Sequence, residues 1–122
     1  MNEDILTALD NYYEKQELAT KECLFALKSI ILSVDKNIVH VRKYQIPFFY
    51  YNQFKIGFLW IHKKKILIGC VEDRKFLSLS SKRPRNDNVW TIEINPFENI
   101  PINIIKSNFN ELIKRYNTID IQ

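Results

Sequence analysis

The stretch that decides the fold spans residues 54–71 and reads FKIGFLWIHKKKILIGCV. Apolar, β-branched and aromatic residues fill residues 54–62 and 66–71, a composition typical of β-strands. The three lysines between them predict a hairpin turn that joins two antiparallel strands. Because the first strand is apolar at both sets of alternating positions, both faces of the sheet need cover. Loop residues, a second subunit or a ligand are the candidates, and we favour loop packing and a homodimer over a ligand.

Working outward, the hydrophobic period predicts the remaining elements. A period of two predicts further strands over residues 38–44, 48–51, 76–80 and 89–95, with a second turn at Asn52 and Gln53. A helical period predicts helices over residues 4–13, about 17–34 and 104–116. The order predicts an α+β fold with two N-terminal helices, an antiparallel sheet of about five strands and a C-terminal helix. The helices lie mainly on one sheet face, and residues 1–122 form a single domain.

The composition excludes several classes of protein. With 46% hydrophobic and 26% charged residues, the chain is that of an ordinary globular domain. Its only glycines, Gly57 and Gly69, are too far apart to build a phosphate-cradling loop. Cys23 and Cys70 form no CxxC pair and are expected to be reduced, which favours the cytoplasm. No apolar run reaches the roughly 20 residues of a membrane span, and the acidic N-terminus does not resemble a signal peptide, so no membrane partner is expected.

Charge is unevenly distributed along the chain. Residues 1–35 carry three basic and seven acidic side chains, residues 36–85 carry twelve and two, and residues 86–122 carry three and five. A basic centre between acidic ends suggests an anionic ligand at the middle segment, although lysines that keep a sheet edge soluble are the commoner explanation.

The segment over residues 41–49, VRKYQIPFF, resembles the Lys-Tyr-x-x-Pro-x-Phe signature of the YdhG-like bacterial domains of unknown function. The resemblance continues through residues 58–62 and 66–69, the arginine loop at residues 83–85 and a proline-bearing loop before the last helix. It covers roughly residues 24–117. Two departures are Gln45, where a glycine is common, and Glu72-Asp73, which replace a glycine-containing turn. One branch of the family is described as frataxin-like iron chaperones, so the resemblance implies iron as a possible cargo.

Metal ligation has two sets of candidates. Asp10, Glu14 and Glu17 share one face if a single helix continues through them, and their carboxylates would then hold iron loosely. Carboxylates on a solvated helix are nevertheless more often simply exposed. The second set comprises Cys23, His40, His62 and Cys70. It contains no pair of ligands at the spacing typical of zinc sites, so a structural role is favoured.

Aromatic side chains are densest next to the basic centre. Eight of the sixteen aromatic residues fall within residues 44–60. Cations beside aromatic rings can hold a flat anion or stack on bases, although aromatic residues in strands are mostly core. The predicted ligand-binding residues are Arg42, Lys43, Tyr44, Pro47, Phe49 and Trp60. Strand alternation predicts Lys43 and Tyr44 on opposite faces, and Pro47 is expected to end the strand pairing after Tyr44.

No catalytic constellation accompanies these residues. The serines at residues 78–81 lack a glycine elbow, and the central segment offers only Glu72 and Asp73 as carboxylates. The sequence therefore predicts a non-enzymatic binding domain for a small anionic or aromatic ligand. Iron binding is the first alternative. Weak nucleic-acid binding is the second and ranks last, because no RNA-binding signature is present.

Overall fold

A computed structural model describes residues 12–80 and 86–118 of the chain. Its main helices are α1 (Leu18–Val34) and α3 (Ile102–Asn117), and a single turn, α2 (Arg74–Leu77), continues into the 3-10 turn Ser78–Ser80. The strands are β1 (Ile38–Lys43), β2 (Ile46–Tyr51), β3 (Phe54–His62), β4 (Lys65–Glu72) and β5 (Asn88–Ile94). The α+β class with an antiparallel sheet is thus confirmed.

The five strands form one antiparallel meander in the order β1-β2-β3-β4-β5. Three two-residue turns connect the first four strands, at Tyr44-Gln45, Asn52-Gln53 and Lys63-Lys64. All six turn residues have positive φ although none is glycine. Positive φ at both central residues is the conformation of type I′ turns, whose twist matches that of the strands they join. The Lys63 and Asn52 turns were predicted, whereas the turn at Tyr44 was not.

One face of the sheet is covered by the two long helices. Each helix buries an apolar stripe, formed in α1 by Cys23, Leu24, Leu27 and Ile31 and in α3 by Ile105, Phe109, Leu112, Ile113 and Tyr116. These stripes pack on alternate sheet residues that include Phe49, Leu59, Ile66, Ile68 and Cys70. We call this face the helix side and the opposite one the open face. No helix among residues 12–80 and 86–118 is long and apolar enough to cross a membrane.

Two predicted elements differ from the structure. Residues 76–80 were predicted as an edge strand but form α2 and the 3-10 turn, because the Asp73 carboxylate accepts a hydrogen bond from the Lys75 N–H and caps this short helix. The ring of Phe76 then packs 4.8 Å from that of Tyr116. At the N-terminus, Tyr12–Glu14 are helical and a break precedes α1 at Leu18. The remainder of the predicted first helix, like the arginine loop at residues 83–85, lies outside the described residues.

Tyr116 of α3 inserts its hydroxyl between β3 and β4, next to a bulge in β3. Phe49 pairs with Gly57 and Tyr50 with Lys55, so Ile56 is an extra residue on β3. The Tyr116 hydroxyl enters the gap between β3 and β4 and lies 2.7 Å from the Lys55 carbonyl oxygen. It also lies 2.8 Å from the Val71 carbonyl oxygen and accepts a hydrogen bond from the Asp73 N–H. The bulge interrupts the pairing of β3 with β2, whereas the phenol bridges β3 and β4 beyond Gly57 and Cys70, where the pairing of those two strands ends.

Candidate functional site

The open face carries a row of apolar and aromatic side chains that no described helix covers. Side chains of a β-strand alternate between the two faces, so cross-strand partners lie on the same face. One row of such partners crosses all five strands on the open face: Val41, Phe48, Phe58, Gly69 and Thr91. The neighbouring positions on the same face are Val39, Lys43, Ile46, Tyr50, Trp60, Leu67, Val71 and Val89. Val39 is 54% exposed and Trp60 46%, so this face meets solvent at large apolar side chains.

Four aromatic rings and one lysine form the densest part of this face, which we call the open-face cluster: Lys43, Tyr44, Phe48, Tyr50 and Phe58. The Phe48 ring lies at the centre, 5.6 Å from the Tyr44 ring and 5.4 Å from the Phe58 ring between centroids. The Lys43 ammonium lies 5.5 Å from the centroids of both Tyr44 and Tyr50. Its interaction with Tyr50 is the main reason why the pKa of Lys43 is raised, and the group remains a cation at neutral pH. The cluster thus combines a fixed positive charge with aromatic faces.

Gly69 holds the cluster in place. The Phe58 ring lies directly over this glycine, at the position that a Cβ atom would occupy. On the helix side, the Phe109 ring lies over Gly57 in the same way. Neither glycine has a positive φ, so each is required by space and not by backbone conformation.

The six predicted ligand-binding residues are divided between the two sides of the sheet. Lys43, Tyr44 and Trp60 lie on the open face. Phe49 is fully buried on the helix side. Arg42 and its cross-strand partner Pro47 lie on the same side of the sheet as Phe49. The structure therefore places three of the six on the open face.

Two local predictions around the family signature are wrong. Lys43 and Tyr44 lie on the same side, because β1 ends at Lys43 and the positive φ of Tyr44 turns its ring back towards Phe48. Pro47 does not end the pairing but lies within β2 opposite Arg42, at a position before the pairing of β2 with β3 begins at Phe48. Its missing N–H is tolerated there because no residue of β3 is paired with Pro47.

The sequence prediction did not include Phe48, Tyr50 and Phe58 among the site residues. The signal was available in the alternation of β2, where Phe48 and Tyr50 fall on one face and Phe49 and Tyr51 on the other. Without the turn at Tyr44 and Gln45, the residue pattern does not determine which of these two pairs faces the helices.

The predicted iron ligands are not gathered into a site by the described residues. Helical structure is interrupted between Glu14 and Glu17, so the single helix that the acidic face required is absent there. Glu14 instead forms an ion pair with Lys21, with Oε2 and Nζ 3.2 Å apart. Asp10 lies outside the described residues. Within residues 12–80 and 86–118, no three His, Cys, Asp or Glu side chains are placed to hold a metal ion. Iron binding stays a prediction.

The predicted nitrogen and sulfur ligands likewise form no group of three that could hold a metal ion among the described residues. Cys23 and Cys70 are buried free thiols, and burial raises the pKa of Cys70 to about 12. His40 is stacked on Phe49 at 4.8 Å, and its Nε2 atom is hydrogen-bonded to the Tyr13 hydroxyl at 2.9 Å. His62 lies at the exposed end of β3, with its ring 5.5 Å from the Trp60 ring.

The environment of His40 predicts a loss of stability in acid. Burial is the largest cause, and Lys28 the second, of a pKa lowered from 6.5 to about 4. The unfolded chain therefore takes up this proton at higher pH than the folded protein does, so stability is complete above pH 6.5 and declines towards pH 4. We expect a loss of about 2 kcal/mol over this interval after discounting for partial exposure. Urea unfolding at several pH values measures it.

The matched variant for this prediction is His40→Gln, which keeps a hydrogen-bonding side chain beside Tyr13 but does not titrate. Its unfolding free energy should change less between pH 7 and pH 4 than that of the parent by about the same 2 kcal/mol. Parallel pH profiles for the two proteins would contradict the role of His40.

A separate pocket lies on the helix side of the sheet, beside the β3–β4 turn. It has a volume of about 290 Å³ and is lined by Gln16, Glu17, Thr20, Ile61, Lys64 and Phe97. Its lining contains none of the residues of the open-face cluster.

Comparison with protein-family models, with curated proteins and with solved structures finds no match to this chain. The site is accordingly interpreted from its own geometry, and the YdhG-like resemblance stays an expectation from the sequence.

Proposed function

We propose that the protein is a non-enzymatic binding domain whose open face takes a planar aromatic anion. The observation that carries the proposal is the Lys43 ammonium, which lies over the Tyr44 and Tyr50 rings on a sheet face that no helix among the described residues covers. Tyr44 is 69% exposed and Trp60 46%, so both offer aromatic surface to a ligand. A planar anion would stack on these rings and place its charge near Lys43.

The charge around the cluster supports an anionic ligand over a neutral one. Lys43 forms no ion pair with any side chain in residues 12–80 and 86–118. A cation held beside aromatic rings and open to solvent attracts an anion without first breaking a salt bridge. Arg42, the residue before Lys43 on β1, is also exposed. It lies on the side opposite the open face, but its charge adds to the positive potential around this end of β1.

The polar groups near the end of β4 support a binding role over catalysis. The carboxylates of Glu72 and Asp73 are buried, yet each is engaged in holding the fold. Glu72 accepts hydrogen bonds from Asn88 and Arg115, and Asp73 accepts them from the Lys55 and Lys75 backbone N–H groups. Groups satisfied in this way hold the fold together, which favours a structural role for them over a catalytic one.

Quenching of Trp60 fluorescence tests the proposal, with adenosine 5′-monophosphate as the probe. The background is Trp90→Phe, because Trp90 lies on the helix side with its indole N–H bonded to Asn108 and would mask the signal. We expect saturable quenching, weakened at least about tenfold by Lys43→Met, since a charge-assisted contact contributes roughly 1.5 to 3 kcal/mol. Native mass spectrometry of untagged protein would reveal any ligand retained from the cell.

The control is Lys106→Met, which removes an exposed lysine from α3 in the helix layer. Both lysine variants should melt at the temperature of the parent, because Lys43 and Lys106 are exposed and removing them leaves no buried cavity. The proposal is wrong if the nucleotide does not quench Trp60, or if Lys43→Met and Lys106→Met weaken binding equally.

A further inference from the structure

The meander brings two turns to one end of the open face. β1 and β3 run in the same direction, so the turn at Tyr44-Gln45 and the turn at Lys63-Lys64 lie at the same end of the strands. We call this end of the sheet the turn edge. Only β2 separates the two strands that enter these turns, which corresponds to about 10 Å at the usual strand spacing. Residues that are some twenty positions apart in sequence thus become neighbours.

Positive charge is concentrated at this edge. Lys43 ends β1, and Lys63, Lys64 and Lys65 form the other turn and the start of β4; all four are exposed. Lys65 pairs with Glu93, with Nζ and Oε1 2.6 Å apart. Neither Lys63 nor Lys64 forms an ion pair with any of the residues that the structure describes. Lys64 also lines the pocket that contains Glu17, so Lys43 and Lys63 are the cations that this edge offers to the open face.

Two exposed aromatic side chains lie between these cations. Tyr44 occupies the first turn, and Trp60 lies on β3 three residues before Lys63. Aromatic faces on a sheet bind unpaired bases by stacking, while lysines at the margin contact the phosphates between them. A duplex offers no free base faces to such a surface.

We infer that this edge binds single-stranded nucleic acid, with bases stacked on Tyr44 and Trp60 and phosphates held by Lys43 and Lys63. The inference rests on the proposed function and deepens it, since it extends one aromatic anion to a chain of them. A second copy of the protein fits the edge less well, because a symmetric pair would bring the lysines of both copies together. A polyanion instead neutralises all of them.

Fluorescence anisotropy of a labelled oligothymidylate of about 12 nucleotides tests the inference. The decisive variant is Lys63→Asn with Lys64→Gly, which removes two charges and supplies the residue pair that a type I′ turn prefers, so the hairpin is kept. We expect at least tenfold weaker binding at low salt. The slope of the logarithm of affinity against the logarithm of salt concentration should be smaller by about 0.7, which corresponds to one lost phosphate contact, that of Lys63.

Two further variants complete the design. Trp60→Leu should weaken binding about tenfold through lost stacking while leaving the salt slope unchanged. Lys106→Gln with Lys114→Gln removes the same charge from exposed positions on α3 and should change affinity less than threefold.

Several results would overturn the inference. Equal affinity for the same strand annealed to its complement would show that phosphates alone are bound. An equal loss in the α3 double variant would show that only net charge matters. The binding of adenosine monophosphate could still depend on Lys43 while the oligonucleotide binds no more tightly than this mononucleotide. In that case the proposed function survives and this inference fails. A dimer in sedimentation experiments that protects Trp60 from quenching would contradict both.

Discussion

Replacing Gly57 with alanine should lower the free energy of unfolding by about 3 kcal/mol. A Cβ atom at this position would lie 2.6 Å from Cε1 of Phe109 and 2.8 Å from the carbonyl oxygen of Gly69. The first neighbour is a fully buried ring of α3 and the second is backbone, so neither can move without shifting the helix or the sheet. Urea unfolding monitored by circular dichroism measures the loss.

Gly69→Ala is the matched control, since it makes the same chemical change on the opposite face. The obstructing group there is the ring of Phe58, a half-buried side chain on the open face. That ring can rotate towards solvent, so we expect a loss of only about 1 kcal/mol. Equal losses in the two variants would contradict the assignment of one face as core and the other as open surface.

Tyr116→Phe should cost about 2 kcal/mol of unfolding free energy. Removal of the hydroxyl leaves the buried Asp73 N–H without its acceptor and removes a contact from the carbonyl oxygens of Lys55 and Val71. These groups lie beyond the end of the β3–β4 pairing, so no strand hydrogen bond replaces the phenol. Urea unfolding of the variant and the parent under the same conditions measures the difference.

The control for this prediction is Tyr51→Phe, which deletes another tyrosine hydroxyl of the same core. The Tyr51 hydroxyl donates a single hydrogen bond, to Oδ1 of Asn117. Asn117 is exposed at the end of α3 and can bond water instead, so the expected loss is under about 1 kcal/mol. A Tyr116→Phe variant as stable as Tyr51→Phe would mean that water fills the gap between the strands.

The candidate site was only partly predictable, for reasons that concern register. The sequence identified the basic aromatic segment and Lys43, Tyr44 and Trp60 within it. It also selected Phe49, which is buried, and did not select Phe48, its neighbour on the open face. A shift of one residue exchanges the two faces of a strand, and only packing against α1 and α3 fixes which face is covered.

By itself, the sequence determined the α+β class, helix α1 and the pairing of β3 with β4 around the lysine turn. These features depend on local periodicity and on residues close together in the chain, which a single sequence records. Tertiary structure alone decided three other features: residues 76–80 became helical when Asp73 capped them and Phe76 packed on Tyr116, Tyr44 turned onto the open face, and Lys63 was brought to the edge that Lys43 occupies. The packing of Phe76 on Tyr116 and the meeting of the two turns depend on segments distant in the chain. The position of Tyr44 depends on a positive φ that the local preference of a tyrosine does not favour.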